Sequence, residues 1–504
     1  MPDQLFWGDL HNHNSVGLFH YSKGSLERTL EIARSHLDFC AFTGHAHWHD
    51  MPEMVGNAHE KWAEGFAHHT QQWPRTCELI AEANDPPDFV AFLGYEWHSA
   101  RFGDRSVIYP YDNGELFHTD DVQKLYEHAR RSGALLMPHH IGYKGGLPGR
   151  GLNWEYYDES VSPLVEIYSE HGGAERDRGP WAYLRHSNGP RTTYHTMQYG
   201  LERGFHFGVI ASTDDHFGYP GAYGEGLVGV YAAERTREAI WEALWARRAY
   251  AVTGDRIELS FTVNGAPMGS ILAAERDRHI AVAVRGWDEV CAVEVLRNNR
   301  VIHRHFPEDD FKSDGGWSRR WKCRVEFGWG PWTAFGMPRV ADWRILLRAE
   351  RAKIVAVMPC FQSGPFDEER RNRILDSDET SCRWESYTSR QDAFNETPTN
   401  AVVFELEGPP DARLHLEVTE PGERHIDLSL ERLATSSHIE FTGEFPCESL
   451  LVHRLAPEEL YQACFEFDDE PSGVRAEDFY YVRVIQANGQ MAWSSPIWVG
   501  RPGP

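Results

Sequence analysis

The chain of 504 residues is short of cysteine pairs, of basic charge and of long apolar runs. Its eight cysteines are scattered with no Cys-x-x-Cys, which argues against a disulfide framework and against a cysteine-rich zinc knuckle. Lysine and arginine number 50 against 76 acidic residues, a formal charge of −26. Such a surface lacks the basic patches that shed counterions from nucleic acid, and it lacks a polybasic face for anionic lipid. No stretch approaches the ~18–20 apolar residues of a membrane span. The opening residues Met-Pro-Asp-Gln-Leu-Phe-Trp-Gly-Asp-Leu carry no positive n-region and no apolar h-region, so a cytoplasmic location is the expectation. What the chain does have is an apolar fraction of 41 %, enough for a large core, and 27 histidines.

The first half alternates short apolar runs (39–43, 89–94, 134–138, 164–168, 207–212) with helical patterns (25–35, 121–132, 235–247). That alternation predicts βα units with parallel pairing, as a barrel or a doubly wound sheet. After about residue 254 the texture changes. Period-two runs appear at 257–263, 280–284, 293–296, 345–347, 402–406, 414–418 and 480–485, and Asn264-Gly265 is a hairpin signal. The expected organisation is an α/β domain over 1–255 and a β-rich, sandwich-like domain over 256–504, with long loops near 307–316 and 365–398.

Twenty of the 27 histidines precede residue 217. They recur where predicted strands end: His11-Asn12-His13, His45-Ala46-His47, Glu96-Trp97-His98, His139-His140, Glu166 with Glu170-His171, and Asp214-Asp215-His216. In an extended segment residues i and i+2 share a face, so His11 and His13 can chelate one ion. Six such pairs converging on one end of a sheet would crowd imidazoles and carboxylates to a degree that requires cations. Neutral imidazole with carboxylate suits zinc, manganese or iron.

Gly-Asp-Leu-His-Asn-His at 8–13, Phe-Thr-Gly-His at 42–45, Glu96, Pro-His at 138–139 and Asp-x-His at 214–216 resemble the ordered motifs of the PHP (polymerase and histidinol phosphatase) superfamily. Within it the chain is similar to the DUF3604 group, through Ala-Arg-Arg-Ala-Tyr-Ala-Val-Thr-Gly at 246–254, Val-Asn-Gly at 263–265 and Trp-Ser-Ser-Pro-Ile-Trp at 493–498. The resemblance implies a distorted (β/α)7 barrel, two or three divalent ions and phosphoesterase chemistry. It implies His11, His13, His45, Glu96, His139, Asp214 and His216 as ligands, with Glu96 bridging. His20 and either Glu166 or His171 are implied for a third ion. The chain departs from the pattern at Gly44, where an Asp is usual, and at His47, where a Glu is common.

The expected function is therefore a multinuclear metal-dependent hydrolase, acting on a small anionic phosphoester through a hydroxide bridging the metals. Asp214, His216 and His140 are the candidates for moving protons. Lys144, Arg101, Arg105 and Tyr143 are the candidates for substrate binding, and Trp48 and Trp97 for walls of the pocket. The alternatives are the same metal chemistry on a carboxylic ester, lactone or amide, and a non-catalytic metal- or ligand-binding protein. The second half has no comparable cluster. Scaffolding or homo-oligomerisation is its expected role, with sugar or polymer binding, or covering the barrel mouth, as the other readings.

Overall fold

The computed structural model describes residues 3–183, 189–311, 316–390 and 397–501. The first half is mixed α/β. Its strands are β1 (Gln4–Asp9), β2 (Phe39–Phe42), β3 (His45–Trp48), β4 (Val90–His98), β5 (Arg105–Tyr109), β6 (Leu135–Pro138), β7 (Leu164–Ser169), β8 (Gly172–Gly173), β9 (Gly208–Ala211), β10 (Leu227–Ala232) and β11 (Ala249–Val252). Helices α1 (Ser15–Leu18), α2 (Leu26–His36), α3 (Ala58–Ala83), α4 (Val122–Ser132), α5 (Met197–Glu202) and α6 (Arg237–Trp245) lie between them. The apolar runs at 39–43, 89–94, 134–138, 164–168 and 207–212 all become strands, and the three helical patterns become α2, α4 and α6. Their starts are capped as the residue types dictate. Ser25 Oγ accepts from Arg28 N, Asp121 Oδ1 from Gln123 N and Thr236 Oγ1 from Ala239 N.

Pairing is less uniform than expected. β1–β2, β2–β4, β3–β4 and β7–β9 are parallel, but β4–β5, β5–β6, β1–β10 and β10–β11 are antiparallel. The reason lies in the connection from β4 to β5. It spans only residues 99–104, too short for the crossover a parallel neighbour needs, so β5 folds back as a hairpin. β7, β8 and β9 form a ladder of their own, and the described strands do not make one continuous closed barrel.

Beyond residue 255 the structure is β-rich. Asn264 (φ 51°) and Gly265 (φ 75°) form the two-residue turn that pairs Val263 with Ala266, the left-handed geometry an Asn-Gly hairpin favours. Two sheets, one built on Trp321–Gly328 and Asn400–Glu407 and the other on Val340–Glu350 and Arg413–Glu420, contribute to one core of Phe327, Trp343, Trp384 and Phe404. Alternation such as that of Val340–Glu350, buried at every second residue, supplies the apolar faces. The stretch 365–398, expected as a loop, instead contains strands Arg373–Ser377 and Ser381–Ser389. Its charged residues misled because Arg373 and Glu385 pair across the outer face of that hairpin (2.7 Å). At 307–316 a short helix, Pro307–Asp310, is present, and the remainder lies partly outside the described residues. The main ladder crosses residue 255: β11 pairs with Met491–Ser494, Tyr250 facing Ser494.

Glu405 ties the β-rich sheets together. Its carboxylate meets Lys322 Nζ at 2.7 Å, Arg285 Nη2 at 2.6 Å and Arg320 Nη1 at 2.9 Å. Burial raises its pKa, but the bonds to Lys322 and Arg285 outweigh that and bring it from 4.5 down to about 2. A depressed carboxyl stabilises the fold fully above its unfolded value, and that contribution is lost as pH falls from about 4.5 towards 2. Glu405→Gln leaves the buried Lys322 ammonium without its carboxylate, while the part-exposed Arg285 and Arg320 keep Glu458 and Glu407, and is expected to cost about 3 kcal/mol. Urea denaturation at pH 7 should show that loss, and the difference from wild type should shrink as the pH approaches 2.

Candidate metal centre

The histidine-rich segments converge because each follows or occupies a strand of the same body. After β1 the chain stays extended, pinned by an isolated bridge between Asn12 and Asp215 and by the bond from Asp214 N to His11 O (2.7 Å). His45 opens β3 directly opposite Glu96 of β4. His139 and His140 follow β6, and Asp214 and His216 follow β9. Asp214 (φ 54°) and His140 (φ 31°) hold positive φ values that non-glycine residues rarely adopt. Such strain concentrates at functional sites.

The side chains form a connected set of donor groups: His11, His13 and Asp214; His13, His45 and His216; His45, Glu96 and His98; and Glu96, Asp104, His139 and His140. Within each group the ligand atoms all lie within 4.8 Å of one another. His13 Nε2 lies 3.2 Å from His11 Nε2, 2.9 Å from Asp214 Oδ1 and 3.4 Å from Glu96 Oε2. His139 Nε2 is 2.8 Å from Glu96 Oε1, and His45 Nε2 is 3.3 Å from His216 Nε2. Glu96 Oε2 makes no hydrogen bond even though His45 Nδ1 is 2.7 Å away, and His13 Nδ1 and His140 Nδ1 are likewise buried without one. Buried nitrogens facing nitrogens, and a carboxylate oxygen left unsatisfied among them, are what a set of cation ligands looks like. The residues present therefore fit divalent ions.

A second set of contacts orients these rings. His11 Nδ1 donates to Glu166 Oε2 (2.9 Å) and His216 Nδ1 to Glu170 Oε1 (3.0 Å), which turns both Nε2 atoms inward. His139 Nδ1 meets Ser106 Oγ (3.3 Å) and His171 Nδ1 meets Tyr143 Oη (3.1 Å), while His171 Nε2 reaches Asp214 Oδ2 (2.6 Å). The electrostatics call for positive charge. Burial works against ionising Glu96, but His98, His45 and His139 hold its pKa well below the usual range. Burial likewise opposes ionising Asp214, but His11 and His171 hold it low. Burial lowers the His11 pKa, yet Asp214 and Glu166 raise it well above normal overall, and Glu170 carries His216 up to about 9 against its own burial. Burial is the largest influence on His45 and His139 and outweighs the pull of Glu96, so both are lowered to about 3 and are neutral, the form in which an imidazole can hold a metal.

Set against the sequence reading, His11, His13, His45, Glu96, His139, Asp214 and His216 come together. His20 does not: it pairs with Glu64 at a part-exposed edge (2.8 Å) and belongs to none of these groups. Glu166 and His171 stand behind His11 and Asp214, as hydrogen-bonding partners of those side chains rather than members of a donor group. His140 joins the group of Glu96, Asp104 and His139. Of the rim residues, Lys144 is exposed. Arg101 is exposed as well and lies over Phe102 (5.0 Å). Arg105 is fully buried and spends its Nη1 on Phe102 O and Gly103 O and its Nη2 on Tyr126 Oη. Tyr143 is buried with its hydroxyl against His171. Trp97 is a core residue whose indole donates to Thr119 O, whereas Trp48 is half-buried beside His98. Sequence reasoning missed Asp104 and Arg150, and it noted His98 and Glu170 at strand ends without giving either a role. The i, i+2 rule that makes His-x-His a chelating pair applies equally to Glu96-x-His98 in β4 and would have given His98 its place in the donor set. Asp104 sits in a short loop with no local signal.

Gly44 also finds its explanation. A Cβ there would lie 3.2 Å from His69 Cε1, and His69 Nδ1 donates to His45 O (2.9 Å). Helix α3 thus fills with an imidazole the space a side chain at 44 would need. Gly44→Asp is expected to cost about 1–3 kcal/mol by overpacking. A double-mutant cycle with His69→Ala, read by urea denaturation, should show less loss in the double variant than the two single losses summed.

Residues 221–268 match the family model described as protein of unknown function (DUF3604). This bears out the resemblance to that group over the motifs at 246–254 and 263–265, while the Trp-Ser-Ser-Pro-Ile-Trp motif lies outside the matched stretch. An uncharacterised protein of Chlamydia pneumoniae is 27 % identical over 263 residues, covering 47 % of this chain and 41 % of that protein. One from Chlamydia trachomatis serovar D is 27 % identical over 258 residues, covering 46 % and 40 %. The matches thus span about two fifths of the length of these curated relatives. Among solved structures, the chain is similar to a two-domain protein containing a predicted PHP-like metal-dependent phosphoesterase from Bacteroides vulgatus. Identity there is 14 %, the TM-score is 0.33, and the match covers 84 % of this chain and 96 % of that one. It is also similar to the lesion-specific endonuclease PfuEndoQ from Pyrococcus furiosus (15 % identity, TM-score 0.28, 48 % and 56 % covered). No helix among the described residues is long and apolar enough to cross a membrane.

Proposed function

We propose that the protein is a multinuclear metal-dependent hydrolase, and that its substrate is a small anionic phosphoester. The observation that carries this reading is the connected, buried donor set running from Asp214 through His11, His13, His45 and Glu96 to His139. In it, His11, His13 and Asp214 would hold one ion and His13, His45 and His216 another. Glu96 stands between His13, His45 and His139 as the carboxylate able to serve two ions. Bound divalent ions, whether zinc, manganese or iron, supply Lewis acidity towards a phosphoryl oxygen and the activation of water. The remaining work falls to the chain. Glu166 and Glu170 fix the rings of His11 and His216, and His171 fixes Asp214. His140, whose pKa burial lowers, is neutral near pH 7 and keeps Nδ1 free of hydrogen bonds, so it can take or return a proton at that atom.

Two structural readings belong to the same proposal. One is a division of the chain between residues 255 and 256. The other is a distorted (β/α)7 barrel over the first part. Leu136 N bonds Val161 O ahead of β7, and Ser495 Oγ bridges Val209 N of β9 and Ala249 O of β11, which supports closure through side chains and loops where ladders are missing.

Metal analysis of the purified protein, with turnover of phosphomonoesters, phosphodiesters and carboxylic esters measured before and after chelation, tests the reading. At least one equivalent of metal and chelator-sensitive phosphoester turnover are expected. Less than one equivalent after gentle purification would sink every metal-dependent version. Metal with turnover of carboxylic esters alone would move the reading to ester, lactone or amide hydrolysis.

A further inference from the structure

Arg150 is an arginine the reading above does not use. It is only 5 % exposed, yet it is held at the edge of the donor set. Its Nη1 donates to His98 Nδ1 (3.0 Å) and pairs with Asp104 Oδ2 (2.9 Å). The guanidinium carbon stands 4.6 Å over the ring of Trp48. Asp104 in turn lies 3.1 Å from His98 Nδ1 and 3.4 Å from His140 Nε2, so Arg150 is tied to the group of Glu96, Asp104, His139 and His140.

The loop carrying Arg150 is built to bring it inward. On either side of it stand glycines whose Cβ atoms would collide with backbone, Gly149 at 2.0 Å from Lys144 O and Gly151 at 1.7 Å from Tyr143 O. Gly151 N and Leu152 N close the loop onto Lys144 O and Ile141 O (both 3.3 Å). Only a chain without side chains at 149 and 151 can fold so tightly, and Arg150 is what the turn presents.

One edge of the guanidinium is spent and the other is not. Nη1 is engaged, but Nε is buried without a hydrogen bond, and Nη2 makes none among the described residues. The Nε–Nη2 edge is the fork with which arginine takes two oxygens of one oxyanion in parallel bonds. A buried donor without an acceptor calls for a physical account, and here it sits on a clamped cation tied to the donor group of Glu96, Asp104, His139 and His140. Stacking on Trp48 and pairing with Asp104 fix the plane of the fork, so little side-chain entropy remains to be lost on binding.

We infer that Arg150 is the specificity-determining residue of this site, and that its Nε–Nη2 edge receives two non-bridging oxygens of the substrate's phosphoryl group. The assignment rests on the phosphoesterase reading for the identity of the oxyanion; a carboxylate presents the same pair of oxygens. Neither Lys144, Arg101 nor Arg105 offers an equivalent: the first two are exposed, and Arg105, whose Nε is also without a hydrogen bond, has Nη2 taken by Tyr126 Oη and Nη1 by the carbonyls of Phe102 and Gly103.

The test uses the full-length, metal-loaded protein and inorganic phosphate as probe, with acetate as the second oxyanion, both followed by calorimetry. Arg150→Lys keeps the charge beside Asp104 and removes the fork; Arg150→Met removes both. Phosphate affinity is expected to fall at least tenfold in each variant while metal content per chain stays unchanged. KM for an anionic ester should rise by a similar factor, with a smaller change in kcat. Should Arg150→Met fail to fold, Arg150→Lys alone gives the readout. Phosphate affinity within twofold of wild type in the folded variants overturns the inference, as does a loss of bound metal that accounts for the weaker binding. Arg150-dependent phosphate binding in a protein that hydrolyses no phosphoester leaves the inference standing and fails the phosphoesterase reading. Acetate bound more tightly than phosphate overturns the phosphoryl assignment.

Discussion

Asp214→Asn is expected to remove hydrolytic activity by at least a thousandfold and to lower the bound metal by about one equivalent, with the far-UV circular dichroism spectrum unchanged. Asp214 is the carboxylate of the His11–His13 group, and its two oxygens are divided between His13 (2.9 Å) and His171 (2.6 Å). An amide keeps the shape but loses the charge that offsets a cation. In a buried site that charge is the larger share of the binding energy. His11→Ala should do the same through a lost nitrogen ligand, and it leaves Glu166 without its imidazole partner. Metal analysis beside a progress curve with the best ester checks both. A variant with full metal and full turnover would remove Asp214 or His11 from the centre.

Stripping the metal should cost stability as well as activity. An ion that binds only the folded chain, present at a thousandfold over its dissociation constant, contributes about 4 kcal/mol. At roughly 2–4 °C per kcal/mol for a domain of this size, chelation is expected to lower Tm by about 10 °C. The ion-free protein does not leave Asp214 and Glu96 uncompensated. It holds protons instead, on His11, whose pKa is well above normal, and on His216, at about 9. Loading metal near pH 7 must displace them, so proton release should accompany binding and affinity should weaken as the pH falls. Titrations in two buffers of different ionisation enthalpy measure the release. A Tm unchanged by chelator, with metal removed, would mean that the cluster carries no linkage to folding.

The site was legible in the sequence where a motif is local. His11-Asn12-His13, Glu96, His139 and Asp214-Asp215-His216 stand next to strand ends, and a strand end is readable from an apolar run followed by polar residues. The Asn264-Gly265 hairpin was readable for a similar reason: two residues fix the turn. What could not be read depends on contacts between distant segments. Arg150 reaches Asp104 and His98 only because glycines at 149 and 151 let a loop fold on itself, and His69 covers Gly44 from another helix. His20, by contrast, was placed by resemblance alone, and the structure gives it to Glu64. Antiparallel β5 escaped prediction because a short connection, and not the apolar pattern, decides strand direction. The hairpin at 373–389 was hidden by charges that turn out to pair across strands.

The pairing of β11 with Met491–Ser494 has a bearing on biosynthesis. Ribosomes deliver the chain from its N-terminus, at about 5–20 residues per second. β11 is complete some 240 residues before its neighbour emerges, and Ser495, whose hydroxyl joins Val209 to Ala249, comes later still. Through that interval Ala249–Val252 is an unprotected strand edge on the body that carries the histidine-rich donor groups, the kind of edge that recruits other chains. Nascent and truncated forms lacking that partner strand are therefore expected to aggregate more readily than chains in which the pairing is made. Chaperone demand should fall on the window between translation of β11 and release of the last strands.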